Sequence, residues 1–265
     1  MSRERSSGEV EAGGARPWHR TGGAVAAAVS GLIDLMLPLR CAGCAHPGVG
    51  WCVGCARELG GLRKVTRELP MPPGDAAVPP VFALGRYRGA ARRAVVSYKV
   101  AGRRDLAEPF GFAIADGLEG IIGWEPLAAA PFEGGTDLDV PGTWHLVPAP
   151  SRAINSRRRG GAHMTRVADR AAAALAEHGR AVAVADCLVA GSGTRDSVGL
   201  APPERLRNLA GRLSVLPRRS PPAGAPVLLI DDVLTTGATV LSSAHVLARH
   251  GIPVTAVLVL TATAG

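Results

Sequence analysis

The chain has 265 residues, 47% of them apolar, so it can bury a sizeable core as one large domain or as a core domain with a small appendage. Aromatic residues make up only 4% while Ala, Val, Leu and Gly dominate, which suits an α/β protein better than a β-sandwich. The net charge of +8 favours anionic partners, whether phosphorylated metabolites, nucleic acid or acidic membrane surfaces, without choosing among them.

Residues 1–22 are polar, Gly-rich and charged, with no apolar periodicity, and are expected to be disordered. The next segment, Ala24 to Leu39, has the apolar character of a signal-peptide core behind Arg16 and Arg20. Asp34 interrupts it and cysteine pairs follow at once, so it reads instead as an amphipathic helix stopped by Pro38, with Val29, Leu32, Ile33 and Met36 on one face. It is too short to span a bilayer, and the expectation is a cytoplasmic protein with no membrane span.

Cys41-x-x-Cys44 and Cys52-x-x-Cys55 stand seven residues apart. Each knuckle can turn two thiolates onto one ion, and two knuckles close a tetrahedral Zn²⁺ site of soft, deprotonated ligands. His46 is an alternative ligand, but four sulfurs are the expected set, and a closed site of this kind is structural rather than catalytic. A redox pair fits poorly, because a thioredoxin-type site needs a single C-x-x-C at a helix start. Dispersed cysteines of a secreted disulfide scaffold are not seen, and Cys187, alone in an apolar run, reads as core.

The organisation expected is a short helix plus zinc module over residues 23–63, a Pro-rich linker over 64–80, and a main domain over 81–265. In that domain, Val81 to Gly89 reads as a strand or hairpin edge, and residues 90–118 as two helices hinged near Gly102. Residues 123–142 are loop-like. Trp144 to Pro150 is a short strand stopped by prolines, followed by an arginine-rich loop and an Ala-rich helix from about Gly161 to His178. Ala181 to Ala190 reads as one apolar strand and Glu204 to Leu213 as a short helix. The strand from Val227, a helix from Gly237 to His250 and a last apolar run complete the chain. Strands alternating with helices predict a mainly parallel sheet flanked by helices, and the unbroken apolar strands predict cover on both faces.

The string VLLIDDVLTTGATV, Val227 to Val240, places two carboxylates and three hydroxyls at the end of a buried strand. A Walker B role would need a G-x-x-x-x-G-K-[ST] loop, which the chain lacks, and no G-x-G-x-x-G follows a strand; GSGTRD at Gly191 fails at its last position. A phosphorylated sugar fits better. The helix beginning near Gly237 presents amides and partial positive charge to a phosphate, and Thr235, Thr236 and Thr239 can donate hydroxyl protons to it. Asp231 and Asp232 can then accept from vicinal ribose hydroxyls. The plain alternative is a strand–turn–helix junction capped by Asp and Thr.

This string resembles the signature of type I phosphoribosyltransferases, which bind phosphoribosyl pyrophosphate (PRPP). Together with the cysteine knuckles it resembles the ComF family of bacterial competence and gluconate-utilisation proteins, from about Leu32 to the C-terminus. SYKVAGRRDLA (Ser97 to Ala107) is similar to that family's Lys-Tyr-x-Gly-x-x-x-Leu-Ala, with Val100 in place of Tyr. LVPAPSRAINSRRRGG looks like its Val-Pro-x-Pro strand and arginine-rich loop, and GLAPPERLRNLAG (Gly199 to Gly211) like its Arg-x-x-Asn-x-x-Gly stretch. Departures stand at Gly161, Ala162 and His163, where many relatives have Phe-Asn-Gln, and at Ser197, where many have Gln.

The resemblance implies a phosphoribosyltransferase-like fold that binds PRPP with Mg²⁺, with Asp231 and Asp232 as catalytic carboxylates on the ribose diol. Thr235, Thr236, Gly237, Ala238 and Thr239 would hold the 5-phosphate. Ala149, Pro150, Ser151 and Arg152 would meet the pyrophosphate, with Arg157, Arg158 and Arg159 above it or simply solvated. Lys99, Arg103 and Arg104 would belong to a cover over the site. His145 and His163 are candidate bases. Three functions compete: a transferase on an unknown acceptor, a non-catalytic PRPP or nucleotide sensor, and a partner of single-stranded DNA or of DNA-uptake proteins. The scarcity of aromatic stacking platforms ranks the last one lowest.

Overall fold

Leu228, Leu229 and Ile230 are consecutive and fully buried, which an extended strand permits only when both its faces are covered. The computed structural model describes residues 39–69, 78–124, 142–150, 163–191 and 211–263, and it supplies that cover. Contacts divide the chain after Leu39, so the cysteine pairs and the sheet fall in one unit, Arg40–Gly265. The disorder expected over 1–22 and all but the last residue of the expected Ala24 to Leu39 helix lie outside the described residues.

In chain order the strands are β1 (Arg63–Lys64), β2 (Val81–Arg86), β3 (Trp144–Pro148), β4 (Val182–Val184), β5 (Leu188–Ala190), β6 (Leu213–Val215), β7 (Val227–Leu234) and β8 (Ala256–Ala262). The helices are α1 (Val53–Ala56), α2 (Gly89–Lys99), α3 (Ala107–Ile122), α4 (His163–Glu177) and α5 (Ala238–Arg249). Among the described residues the main sheet runs β1-β2-β8-β7-β3-β4, parallel throughout except for the two-residue edge strand β1. The α/β class with a mainly parallel sheet is therefore as expected.

Strand alternation sorts the core into two layers. Phe82, Leu84, Leu146, Leu228, Ile230 and Leu258 meet α2, α3 and α4 on one face. Val81, Ala83, Val147, Leu229, Val257 and Val259 meet α5 and the β5–β6 hairpin on the other. No described helix is long and apolar enough to cross a membrane.

Three segments differ from expectation. The apolar run Ala181 to Ala190 is not one strand. It breaks at Ala185–Cys187, β4 joins the main sheet, and β5 pairs antiparallel with β6 in a separate hairpin. Asp186 interrupts the run, while Cys187 is fully buried as core. Leu213, expected to end a helix, begins β6; the rest of that expected helix up to Ala210 lies outside the described residues. The linker is not wholly detached: Lys64 is in β1, the Val65 N–H donates to the Val81 carbonyl at 2.8 Å, and Val65, Leu69 and Val78 pack on the α5-side core. The hinge between two helices is confirmed: α2 ends at Lys99, and Gly102 has φ +70° before α3.

The topology also creates a crevice. β3 leads through α4, on one face, outward to β4. Its neighbour β7 leads through α5, on the opposite face, to β8 on its far side. The chain thus leaves two adjacent parallel strands in opposite directions, and ligands of open α/β sheets bind beyond the carboxyl ends of strands at such a point.

Candidate functional site

At the β3/β7 boundary the two strands do not end level. Pairing with β3 stops at Pro148↔Ile230, and the Ala149 N–H closes the ladder on the Ile230 carbonyl at 2.8 Å. Pairing with β8 continues to Leu234↔Ala262. Asp231 and Asp232 therefore lie inside β7 rather than after it, on the stretch that has outrun β3. Being consecutive in an extended strand, they point to opposite faces. Asp231 follows Val227 and Leu229 toward the α5 side, and Asp232 follows Leu228 and Ile230 toward α2 and α4.

Asp232 is 2% exposed and is held by groups from two helices. Lys99 Nζ, at the end of α2, lies 2.9 Å from Oδ1 and 2.8 Å from Oδ2, and His163 Nε2, at the start of α4, lies 2.8 Å from Oδ2. Burial pushes the Asp232 pKa up, but the His163 hydrogen bond and the Lys99 charge outweigh it, and the carboxyl is held below its ordinary value. Tyr98 fixes the arrangement from below: its hydroxyl donates to the His163 carbonyl at 2.5 Å, and its ring meets the imidazole edge-on.

Asp231 has the opposite environment. Burial first, and the neighbouring Asp232 charge second, push its pKa up to about 7. Its Oδ1 accepts from the Asp232 N–H at 2.8 Å. Two adjacent carboxyls thus differ in charge state near neutrality, one held ionised and one poised to take a proton.

The turn after β7 carries the hydroxyls. Thr235 and Thr236 are exposed, and Gly237 is the N-cap of α5 with φ +83°, a left-handed conformation that disfavours any side chain. A Cβ at Gly237 would also come within 3.1 Å of Leu69. No described residue accepts a hydrogen bond from the Thr235, Thr236 or Gly237 amides, whereas the Ala238 N–H lies 3.4 Å from Thr236 Oγ1. Arg67 holds the turn from the other side: its guanidinium donates to the carbonyls of Leu234 and Thr235 and to Thr263 Oγ1. The single arginine in a Pro-rich linker gives no pattern that would have marked it in sequence.

Of the residues expected here, Asp231, Asp232, Lys99, Thr235, Thr236, Gly237, Ala238, Thr239 and Ala149 come to this edge of the sheet. The Ala149 amide is committed to the β3–β7 ladder, so it has no hydrogen left for a pyrophosphate. Arg152, Ser151, Arg157, Arg158, Arg159 and Ser197 lie outside the described residues. His145 is paired level with Val227, four residues before Asp231, or about 13 Å along the strand, so it is not at the site. Arg103 belongs elsewhere too: it pairs with Asp105 at 2.7 Å and donates to the Arg40 and Gly50 carbonyls, clasping the cysteine knuckle rather than covering the crevice.

The second cluster is that knuckle. The sulfurs of Cys41, Cys44, Cys52 and Cys55 lie within 4.8 Å of one another, with Cys44 and Cys52 Sγ 3.6 Å apart. A tetrahedron with metal–sulfur bonds of about 2.3 Å has edges of about 3.8 Å, so the donor set fits a single Zn²⁺ with no open position. His46 stands outside the quartet. Burial raises the Cys41 pKa, but N–H groups of the turn, including those of Gly43 and Cys52, outweigh it and bring the thiol down to about 6. Burial and the neighbouring sulfurs push Cys55 up. A bound cation would let all four ionise together. Gly43 is required by close packing: a Cβ there would meet Cys55 Sγ at 2.6 Å and Ala90 Cβ at 2.8 Å. Arg93 of α2 donates to the Gly43 carbonyl, and Trp51 meets Phe110 edge-on, which docks the knuckle onto the helical layer.

No protein-family model matches the chain, and no curated protein matches it.

Proposed function

We propose that this chain binds phosphoribosyl pyrophosphate at the carboxyl end of β7, as a type I phosphoribosyltransferase-like protein of the ComF kind. The observation that carries the reading is that the acidic pair and the threonine–glycine turn entering α5 fall at the β3/β7 boundary, where the chain topology opens a crevice. The 5-phosphate sits against the α5 N-terminus, with the Thr235 and Thr236 amides and hydroxyls as donors. The ribose diol sits against Asp232, whose carboxylate oxygens accept from vicinal hydroxyls, while Asp231, on the opposite face of β7, supports it by accepting from the Asp232 N–H. Lys99, at the same carboxylate, is placed to follow the negative charge of the ligand.

The described residues offer no carboxylate cluster for Mg²⁺, the cysteine quartet being the one group of three or more ligating side chains among them. Mg²⁺ would therefore be held by the ligand's own oxygens, where it would offset the pyrophosphate charge. Transfer would break the anomeric carbon–oxygen bond to pyrophosphate and form one to an acceptor, with catalysis coming from positioning and charge stabilisation. A second reading, a non-catalytic sensor, draws on the engagement of Asp232 by both Lys99 and His163, which a diol must displace or share.

Calorimetric titration of the full chain with PRPP and Mg²⁺ tests the reading. Saturable binding that falls at least about tenfold (about 1.4 kcal/mol) in an Asp231→Asn/Asp232→Asn variant is expected. Absence of binding to the unsubstituted protein overturns it. Pyrophosphate release with a panel of bases and amines then separates transferase from sensor.

A further inference from the structure

A cleft of about 280 Å³ opens on the β1–β2 side of the sheet, lined by Arg57, Glu58, Arg63, Arg86, Arg88 and Gly89. We infer that this cleft is a separate binding site for a compact oligophosphate anion, the size of a di- or triphosphate group. Four exposed arginines and one glutamate line a single small space, and among the described residues none of the four arginines makes an ion pair. Arginine's planar fork matches phosphate oxygens in pairs, and such charge-assisted bonds are the strong ones. Several like charges gathered in one cleft repel one another and lower stability unless a counter-anion joins them.

The neighbouring helix adds to the imbalance. α2 begins at Gly89, which lines the cleft, with no acidic residue in its first turn to answer its N-terminal amides. Glu58 answers one of those amides, accepting from the Ala91 N–H at 2.9 Å, and leaves the cleft with a net positive charge. A lone phosphate would be outnumbered by four arginines, whereas two or three linked phosphates match them. The volume lies near the lower end of ligand pockets, about 300 Å³, which suits a compact anion. The cleft is distinct from the threonine turn. Arg86 is level with Ala262, and Ala262 with Leu234, so the two places share the carboxyl edge but stand two strands apart, roughly 10 Å at the usual spacing.

The test is titration of the full-length, zinc-loaded chain with sodium tripolyphosphate at low and at physiological ionic strength. One saturable event is expected to weaken at least tenfold in an Arg86→Ala/Arg88→Ala variant and to persist in a Gly237→Val variant. Glu58→Gln keeps an acceptor for the Ala91 amide while removing the negative charge, so it should bind several-fold more tightly, a gain that misfolding cannot imitate. A nucleoside triphosphate that binds more tightly than tripolyphosphate assigns the site to a nucleotide; equal affinities assign it to the free anion. The inference is overturned if tripolyphosphate does not saturate the protein, if binding is lost in Gly237→Val but kept in Arg86→Ala/Arg88→Ala, or if only a single-stranded oligonucleotide binds.

Discussion

The cysteine knuckle and the carboxyl edge of β7 place their reactive groups by different means. The knuckle takes all four sulfurs from Cys41 to Cys55, and its internal hydrogen bonds are mostly local. The β7 edge draws Lys99 from α2, His163 from α4, Arg67 and Leu69 from the linker, and only Asp231, Asp232 and the threonine turn from one stretch. A site built from neighbours in sequence needs mainly a metal to close it. A site built from four segments needs the whole sheet.

Removing the metal probes the local half of that contrast and should have the largest effect. Structural zinc contributes on the order of 10 kcal/mol to folding of isolated fingers. Chelation, or Cys55→Ala, is therefore expected to lower the thermal midpoint sharply and to change the fluorescence of Trp51, while the far-ultraviolet signal of the sheet persists at 25 °C. Loss of both in one step would show that the knuckle is not self-contained.

Substitution of the poised carboxyl probes the assembled half. Burial places the Asp231 pKa above its unfolded value of 3.8, at about 7, so this group's contribution is fully present below about pH 4 and is lost as pH rises through 7. Asp231→Asn should leave stability unchanged near pH 4 and raise it at pH 8 by a few kcal/mol, at about 1.4 kcal/mol per pKa unit. Denaturant unfolding at the two pH values measures this, and equal stabilities at pH 8 would show that the strand end is more hydrated than its geometry implies.

Smaller effects sharpen the comparison. Gly237→Ala forces a side chain into the left-handed region and toward Leu69, costing about 1–3 kcal/mol by thermal unfolding. Arg67→Met removes donors from the Leu234 and Thr235 carbonyls and should cost about 1 kcal/mol. The same variant should increase hydrogen exchange at the Thr263 amide, which donates to the Leu234 carbonyl that Arg67 also contacts. If exchange is unchanged, the linker does not support the turn.

The chemistry of the knuckle was legible in sequence because its ligands fall within 15 positions and their spacing states the geometry. β7 and α5 were legible for a similar reason: an unbroken apolar run, an acidic pair and a glycine at the helix entry are local signals. The paired strand Ala181 to Ala190 was misread because hydrophobicity does not reveal where one run changes partners, and only the break at Asp186 hints at it. His145 and His163 looked alike as isolated histidines, yet pairing register places the first about 13 Å along β3 from the acidic pair and α4 delivers the second onto Asp232.

By itself, then, the amino-acid order determined the knuckle, β7, α5 and most other elements, since periodicity, cysteine spacing and turn residues act over a few positions, but not where the Ala181 to Ala190 run changes partners. Tertiary structure decided what each carboxylate experiences. Asp231 and Asp232 are chemically identical neighbours, and only the alternating faces of β7, with Lys99 and His163 on one side and a desolvating core on the other, hold one ionised and lift the other toward neutrality.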